Sequence, residues 1–367
     1  MKTVLVTGGC GFIGSHLVRL LIDKTDWNVV NLDKLTYAGN PENLRDVDEH
    51  PRYRFIRADI SDDLSMDNVF KEVRPSVVVN LAADSHVDRS ILDAAPFLKT
   101  NVVGVQVLLD VARRYGVERF LQMSTDEVYG DREGQAPCRE DGPLAPSSPY
   151  AASKAAADLL CHAYRRTYNY PVLTVRSSNN YGPFQFPEKL IPLMIRNILS
   201  NAELPVYGDG MQRREWLYVE DAVQGIFKVI VGGQVGNTYN ISSTEAPTNL
   251  DVVRALCHLV AEEAGLDLSQ VLQKITLVAD RPGHDRLYAV NVAKAQRELD
   301  WAPIVSLERG LRMTARWYLE NQQWVERVTS GEYLKYYDAV YGRTWEMAVS
   351  ELAGNDRPGG HRTLTKN

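Results

Sequence analysis

The sequence has few cysteines and no long apolar run. Its four cysteines are far apart and include no Cys-x-x-Cys pair, which excludes the spacing typical of zinc sites and disulfide frameworks. We therefore expect reduced thiols and a cytoplasmic location. No apolar stretch reaches the roughly 18 residues that a membrane helix needs. Because the first predicted strand begins at Lys2, we also expect no signal peptide.

Basic residues are fewer than acidic residues. Lys and Arg total 41 against 47 Asp and Glu, which gives a formal net charge of -6. This balance argues against nucleic acid as a general partner, and an anionic ligand would need a local cluster of basic residues. The 367 residues, 44% of them hydrophobic, suffice for one large domain or two ordinary ones.

Apolar strands alternate with helical patterns through the first half of the chain. Strands are predicted at 2–6, 28–32, 53–57, 76–81, 119–124, 172–176 and 238–241. Nearly continuous Val, Ile and Leu in strands that helices separate indicates a parallel sheet with both faces covered. The sequence therefore predicts an α/β fold, a Rossmann-type doubly wound parallel sheet.

The alternation loosens after about Pro183, where loops rich in proline and glycine appear. We predict a first domain over 1–182, to which the strand near 238–241 returns. Residues 183–345 are predicted to form mainly a smaller, partly interleaved C-terminal substrate domain. The tail at 351–367 lacks periodicity and is predicted to be disordered.

A glycine-rich turn joins the first strand to the first helix. Gly8, Gly11 and Gly14 would let a pyrophosphate approach the N-terminus of that helix. Asp33 ends the next strand, where a carboxylate binds ribose hydroxyls and repels a 2′-phosphate, which favours NAD over NADP. The alternative is a tight turn with a surface Asp. Asp59 ends the third strand and could meet the adenine, or could be an ordinary turn residue.

Tyr150 and Lys154 form a pair that suits hydride chemistry. A free Tyr, with a pKa near 10, is a poor base at neutral pH. A Lys four residues later faces the same side of a helix and would stabilise the phenolate. Such a pair is often only a surface pair. The catalytic interpretation of this pair is supported by the glycine-rich turn and by Thr125 at the end of the fifth strand.

Two adjacent carboxylic acids, Asp126 and Glu127, follow Thr125 directly. Eliminating water needs a base for a carbon-bound proton and an acid for the leaving hydroxyl. Two carboxyl groups in different protonation states can divide these roles. Adjacent acids in a loop are otherwise usually solvated charge.

Seven further segments carry a family resemblance. They are 35–40, 82–90, 124–130, 178–183, 185–191, 208–216 and 280–285. Together with the Tyr-x-x-x-Lys pair, they resemble the dTDP-glucose 4,6-dehydratase family of the extended short-chain dehydrogenase/reductase superfamily. The resemblance runs from Met1 to about Tyr341, with Ala151 and Leu287 standing where family members often carry Ser and Arg.

The resemblance implies a redox-assisted dehydration. Tyr150 would remove the proton of the C4 hydroxyl, which Thr125 also contacts, while a hydride goes to tightly bound NAD. Glu127 would then take the C5 proton, and Asp126 would protonate the C6 hydroxyl as it leaves. Return of the hydride to C6 and of a proton to C5 would give dTDP-4-keto-6-deoxy-glucose and regenerate NAD.

The glycine-rich turn and the resemblance together predict two sets of contacts. The NAD contacts are Gly8, Gly11, Phe12, Ile13, Gly14, Asp33, Lys34, Asp59, Ile60, Leu81, Ala82, Ala83, Ser85, Thr100, Ser124, Tyr150, Lys154 and Asn180. The sugar-nucleotide contacts are Ser85, Thr125, Asn179, Glu188, Lys189, Leu190, Pro205, Tyr207, Arg214, Asn249, Arg281 and His284. The arginines would supply the local positive charge that the chain as a whole lacks.

Other functions are compatible with the same residues. The alternatives are a dehydratase or epimerase acting on a UDP or CDP sugar, and a non-catalytic NAD-binding sensor. Asp84, His86 and Asp88 alternate as possible metal ligands, but one His with two Asp is more typical of structure or substrate contact, and we predict no metal. The helical stretches 101–115 and 150–164 are apolar on more than one face. In the resembled family such helices form a four-helix homodimer contact, which we predict here.

Overall fold

The structure, a computed structural model, describes residues 2–329. The strands are β1 Thr3–Thr7, β2 Asn28–Asp33, β3 Tyr53–Arg57, β4 Val77–Asn80, β5 Arg119–Thr125, β6 Val172–Ser177, β7 Asn179–Tyr181, β8 Leu204–Tyr207, β9 Trp216–Tyr218, β10 Thr238–Ile241 and β11 Ile275–Val278. The helices are α1 Phe12–Lys24, α2 Asp63–Val73, α3 Val87–Leu92, α4 Ala95–Leu98, α5 Gly104–Arg114, α6 Pro149–Tyr168, α7 Leu190–Leu199, α8 Val219–Gly232, α9 Asn249–Ala264, α10 Leu268–Leu272, α11 Ala293–Leu299, α12 Leu307–Glu320 and α13 Gln322–Val328.

Seven strands form one parallel sheet in the order β10-β6-β5-β4-β1-β2-β3. The side chains of β1, β4 and β5 are buried on both faces. One face packs against α1 and α8, and the other against α2, α5 and α6. The predicted doubly wound fold is therefore confirmed. The strand order reverses between β1 and β4, which is where such sheets bind ligands at the carboxyl ends of their strands.

A second apolar cluster lies outside this sheet. It joins α7, α9 and α12 to the two-stranded parallel sheets β8–β11 and β7–β9. Later parts of the chain nevertheless return to the large sheet, because β10 pairs with β6 and α8 packs against α1. The division at 182/183 stays a prediction. Residues 330–345 of the predicted substrate domain and the tail at 351–367 lie outside the described residues.

Between residues 2 and 329, one helical run is long and apolar enough to pass a test for a membrane span. It covers Ala95–Arg114, where a π-helical turn, Lys99–Val103, joins α4 to α5. Of its apolar window, 56% is buried inside the fold. Core helices of soluble proteins pass the same test, so the run is weak evidence for a membrane.

Candidate active site

The turn between β1 and α1 has a backbone that only glycine fits. Gly8 has φ +70°, and a Cβ there would lie 2.7 Å from the Ala82 nitrogen. A Cβ on Gly14 would overlap the Gly8 carbonyl oxygen. Gly11, the N-cap of α1, offers no side-chain cap to the first turn, which leaves its N–H groups available to an anion such as a pyrophosphate.

Asp33 ends β2 beside this turn. Its carboxylate accepts hydrogen bonds from the Leu35 nitrogen at 2.8 Å and the Cys10 nitrogen at 3.1 Å. Burial raises the pKa of Asp33, and these two hydrogen bonds oppose the shift. Each carboxylate oxygen keeps a second lone pair with which it can accept a ribose hydroxyl.

The predicted NAD contacts lie together, with one exception. All of them except Asp59 line a single cleft along the carboxyl ends of the central strands. The Asp59 carboxylate instead accepts hydrogen bonds from the nitrogen and hydroxyl of Ser61 and lies 3.8 Å from the Lys34 ammonium. Other residues that line this cleft were not predicted: Leu32, Thr36, Ala38, Gly39, Ala58, Asp84, Met123, Ser177, Ser178, Gln185 and Phe186. Several belong to the segments that carried the resemblance.

Tyr150 and Lys154 occupy the first turns of α6. Ser148 caps this helix by accepting from the Ala151 nitrogen at 3.1 Å, and Pro149 is its first residue. The Lys154 ammonium donates to the Met123 carbonyl at 2.5 Å. Burial lowers the pKa of Lys154 to about 8. Burial, followed by the carboxylates of Glu127 and Asp126, raises the pKa of Tyr150, and a hydrogen bond with Thr125 opposes the rise.

The two adjacent acids lie in a short 3₁₀ turn, Asp126–Tyr129, that follows β5. The Thr125 hydroxyl donates to Asp126 Oδ1 at 3.2 Å and accepts from the Glu127 nitrogen at 3.3 Å. Asp126 Oδ2 and Glu127 Oε2 are buried and have no hydrogen-bond partner within residues 2–329. Buried oxygens of this kind are uncommon in folded proteins, and here they suit groups that act on a bound substrate.

The surroundings separate the two acids electrostatically. Burial, then the carboxylates of Glu127 and Glu215, raise the pKa of Asp126 well above its usual value. Burial also raises the pKa of Glu127, but the positive charges of Arg281, Arg214 and Lys189 oppose it. Both pKa values are therefore raised, that of Asp126 more strongly, so Glu127 is the acid of the pair that ionises more readily.

A second cleft also borders Glu127. It is lined by the predicted sugar-nucleotide contacts Leu190, Pro205, Tyr207, Arg214, Asn249, Arg281 and His284. Asn179, Glu188 and Lys189 line both clefts, whereas Ser85 and Thr125 line the first. Sequence reasoning missed Trp216 and Tyr288 here; the Arg214 guanidinium stacks 4.1 Å from the centre of the Tyr288 ring.

The possible metal ligands Asp88 and His86 instead make contacts within the protein at the second cleft. The Asp88 carboxylate accepts from the Tyr207 hydroxyl at 3.0 Å and from Arg281 at 3.2 Å. The His86 ring meets the Glu188 carbonyl at 3.3 Å. Among residues 2–329, no three His, Cys, Asp or Glu side chains are grouped as metal ligands.

A buried ion pair joins α6 to the neighbouring strand β6. Arg176 of β6 donates to Asp158, one turn beyond Lys154, at 2.8 Å, and also to the Tyr129 hydroxyl at 2.7 Å. Both charged side chains are buried. We expect Arg176→Met to lower the free energy of unfolding by about 3–5 kcal/mol, because it leaves the Asp158 charge buried without its partner.

Urea denaturation measures this loss, and a double variant is its control. Arg176→Met combined with Asp158→Leu removes both charges, so its stability should return to within about 1 kcal/mol of the wild type. A double variant no more stable than the single one would show that the pair does not act as we infer.

Comparison with known proteins agrees with this geometry. The family profile described as GDP-mannose 4,6 dehydratase matches residues 5–314. The chain is 50% identical over 346 residues to dTDP-glucose 4,6-dehydratase of Neisseria meningitidis serogroup B, covering 91% of this chain and 98% of that protein.

Solved structures show the same likeness. The dTDP-glucose 4,6-dehydratase of Streptomyces venezuelae, solved with NAD bound, is 44% identical, with a TM-score of 0.83 and coverage of 89% of this chain and 100% of that one. UDP-glucose 4-epimerase of Thermus thermophilus, solved with NAD, is 30% identical, with a TM-score of 0.79 and coverage of 87% and 100%. Because half of the 346 aligned residues are identical to a curated relative, over 91% of this chain and 98% of that protein, this chain belongs to the dTDP-glucose 4,6-dehydratase family.

Proposed function

We propose that this enzyme converts dTDP-glucose to dTDP-4-keto-6-deoxy-glucose, with NAD as a tightly held cofactor. The observation that carries the proposal is the buried pair Asp126 and Glu127 close to Tyr150. Glu127 lines both clefts, and Asp126, directly before it in the chain, is buried behind their lining. An epimerase on the same fold would need the Tyr and Lys but not two acids. The relatives from Neisseria meningitidis and Streptomyces venezuelae are both named dTDP-glucose 4,6-dehydratase, which supports the choice.

The residues of the first cleft fit NAD. The glycine-rich turn would receive the pyrophosphate, and Asp33 would accept the ribose hydroxyls. Lys154 and Asn180 would lie at the nicotinamide end. The chemistry that NAD supplies when bound is uptake of a hydride from C4 of the sugar and its later return to C6.

Tyr150 would accept the proton of the C4 hydroxyl. Burial and two nearby acids raise the pKa of the phenol, so proton removal depends on positive charge. The Lys154 ammonium, one turn away, supplies positive charge that favours the phenolate. Thr125 would hold the same sugar oxygen through its hydroxyl.

Glu127 and Asp126 would then divide the elimination. Oxidation at C4 acidifies the C5 proton, which Glu127 would take because Arg281, Arg214 and Lys189 favour its ionised form. Asp126, held protonated by burial and its acidic neighbours, would give its proton to the C6 hydroxyl, which leaves as water. After the hydride reaches C6, the proton on Glu127 would return to C5.

The second cleft would hold the nucleotide. Arg214 and Arg281 line it, and arginine is the side chain best suited to bind phosphate oxygens in pairs. Pro205 and Tyr207 of β8 would border the thymine. These basic groups supply the local positive charge that a chain of net charge -6 needs for an anionic substrate.

Turnover of a panel of nucleotide sugars tests the function. The purified enzyme, with no added NAD, would be given dTDP-, UDP- and CDP-glucose, and the products read by mass spectrometry. Loss of one water from dTDP-glucose is the expected result. Turnover of the UDP or CDP sugar alone would show that the substrate carries that nucleotide instead of dTDP. NAD binding without any turnover would favour a non-catalytic NAD-binding sensor.

Asp33 should decide which dinucleotide binds. We expect Asp33→Ala to weaken NAD binding about 10- to 100-fold, since a hydrogen bond to a charged group contributes roughly 1.5–3 kcal/mol. Binding of NADP should weaken less or improve, because the repelling carboxylate is gone. Calorimetric titration of both dinucleotides measures the ratio, and an unchanged preference for NAD would contradict the assignment.

We also propose a homodimer in the cytoplasm, formed through the 95–114 run and α6. These helices pack side by side, and each leaves large apolar side chains in solvent: Leu98, Val103, Leu159 and Tyr168. Exposed large apolar side chains on helices that pack side by side are typical of an interface. All four cysteines are buried thiols, which suits a reducing compartment.

Leu159→Asp should break this dimer. Leu159 is 59% exposed, and a charge there would be buried by a partner. We expect the dimer dissociation constant to rise about thirtyfold or more, equivalent to roughly 2 kcal/mol. Light scattering measures the mass. Leu64→Asp on α2, where the leucine is 77% exposed, is the matched control and should leave the dimer intact. A wild-type monomer would contradict the proposal.

A further inference from the structure

Tyr37 connects the two clefts and has no role in the chemistry described so far. It lies in the 34–40 loop after β2, whose residues Thr36, Ala38 and Gly39 line the NAD cleft. The Tyr37 hydroxyl donates to Glu188 Oε1 at 2.9 Å. Its ring lies between the Arg89 guanidinium, 4.1 Å from the ring centre, and the ring of Phe186, at 5.3 Å.

The acceptor, Glu188, belongs to the segment that separates the clefts. Its side chain is 2% exposed, and its second oxygen accepts from Arg89 at 3.0 Å. Both carboxylate oxygens are thus engaged within the protein, although Glu188 lines both clefts. The next residue, Lys189, is fixed by donating to the Ser85 carbonyl at 2.7 Å.

The base of the 34–40 loop is tied to the NAD site as well. The Leu35 nitrogen donates to Asp33 Oδ1, and the Asn40 nitrogen donates to the Cys10 carbonyl at 3.0 Å. Leu35 has φ 60°. This is a left-handed conformation, which residues other than glycine rarely adopt unless their surroundings impose it. The loop is therefore held at the NAD site at both ends and at the sugar-nucleotide site through Tyr37.

We propose that Tyr37 is a positioning residue that couples the two sites, so that an occupied sugar-nucleotide cleft slows the loss of NAD. This inference rests on the proposed function. Because the 34–40 loop lines the NAD cleft, a movement of the loop that opens the cleft would break the hydrogen bond from Tyr37 and leave the buried Glu188 carboxylate short of a donor. A nucleotide that fixes the 185–189 segment makes this movement harder.

The coupling has a use in a reaction that regenerates its cofactor. Reduced cofactor that escaped before the second hydride transfer would leave an unfinished product. A contact that retains the dinucleotide while the second cleft is filled prevents that loss. Where the coupling also raises the equilibrium affinity for the dinucleotide, the dinucleotide raises the affinity for the nucleotide by the same factor.

Exchange of bound NAD for isotopically labelled NAD tests the coupling in the purified holoenzyme. The exchange rate would be measured with and without saturating dTDP in the wild type and in Tyr37→Phe, which keeps the ring and removes the donor. We expect dTDP to slow exchange about tenfold or more in the wild type and about threefold or less in the variant, within the usual range for coupled sites.

A matched control separates coupling from general damage. Tyr239→Phe also removes a hydroxyl that contacts a glutamate, Glu298 at 3.1 Å, but neither residue lines a cleft. It should keep the wild-type ratio. Equal slowing by dTDP in Tyr37→Phe and wild type would overturn the inference, as would faster exchange in the variant with an unchanged ratio. An absence of any dTDP effect in the wild type would also overturn it, while turnover of dTDP-glucose decides the proposed function separately.

Discussion

Replacement of Tyr150 by phenylalanine should lower kcat about 10²- to 10⁴-fold, the usual contribution of a positioned acid–base group. Only the hydroxyl is lost. The ring keeps its edge contact with Phe97, at 6.3 Å between centres, and the Tyr150 nitrogen still donates to the Ser90 hydroxyl at 3.1 Å. NAD and dTDP should therefore bind almost as before, so the loss falls on kcat.

Steady-state kinetics and titration of both ligands measure this separation. Tyr164→Phe is the matched control, since Tyr164 lies on the same helix and its hydroxyl donates to Asp110 at 2.7 Å, away from both clefts. It should leave kcat nearly unchanged. A Tyr150→Phe enzyme within about tenfold of wild-type kcat would show that another group removes the C4 proton.

Separate replacement of Glu127 and Asp126 should affect different proton transfers of the elimination. Glu127→Gln should abolish exchange of the C5 hydrogen with deuterated solvent, because the base is gone. Asp126→Asn should keep that exchange and lose water about 10²- to 10⁴-fold more slowly, because the acid is gone. Both replacements preserve shape, so the binding of dTDP should persist.

Proton NMR in deuterium oxide reads the exchange and the loss of water in one sample. Glu133→Gln, an exposed acid in the loop that follows, is the control and should change neither. Loss of C5 exchange in Asp126→Asn, with its retention in Glu127→Gln, would reverse the two roles. An equal effect of both replacements on both steps would contradict the division of roles altogether.

The sequence predicted those parts of the site that depend on local pattern. The glycine-rich turn, Asp33 at a strand end, and the Tyr150–Lys154 spacing each involve neighbouring residues whose geometry follows from one strand or one helix turn. The structure brings these residues into one cleft, because the carboxyl ends of parallel strands share one edge of the sheet.

Contacts between distant residues were not predictable in this way. Glu188 was predicted to contact the sugar nucleotide, yet its carboxylate is engaged by Tyr37 and Arg89, which are 151 and 99 residues away in sequence. The Arg176–Asp158 pair joins a strand to a helix, and its burial cannot be inferred from either pattern alone. Asp59 has the strand-end position of a binding residue, but a local turn through Ser61 occupies its carboxylate.

The central claim is that one active site oxidises C4, removes water and returns the same hydrogen to C6. The measurement that tests it most directly uses dTDP-glucose carrying deuterium at C4, with purified enzyme and no added NAD. Mass spectrometry and proton NMR would locate the label in the product. The proposed mechanism predicts deuterium at C6 of the 4-keto-6-deoxy sugar. A product without deuterium, or with deuterium still at C4, would contradict it.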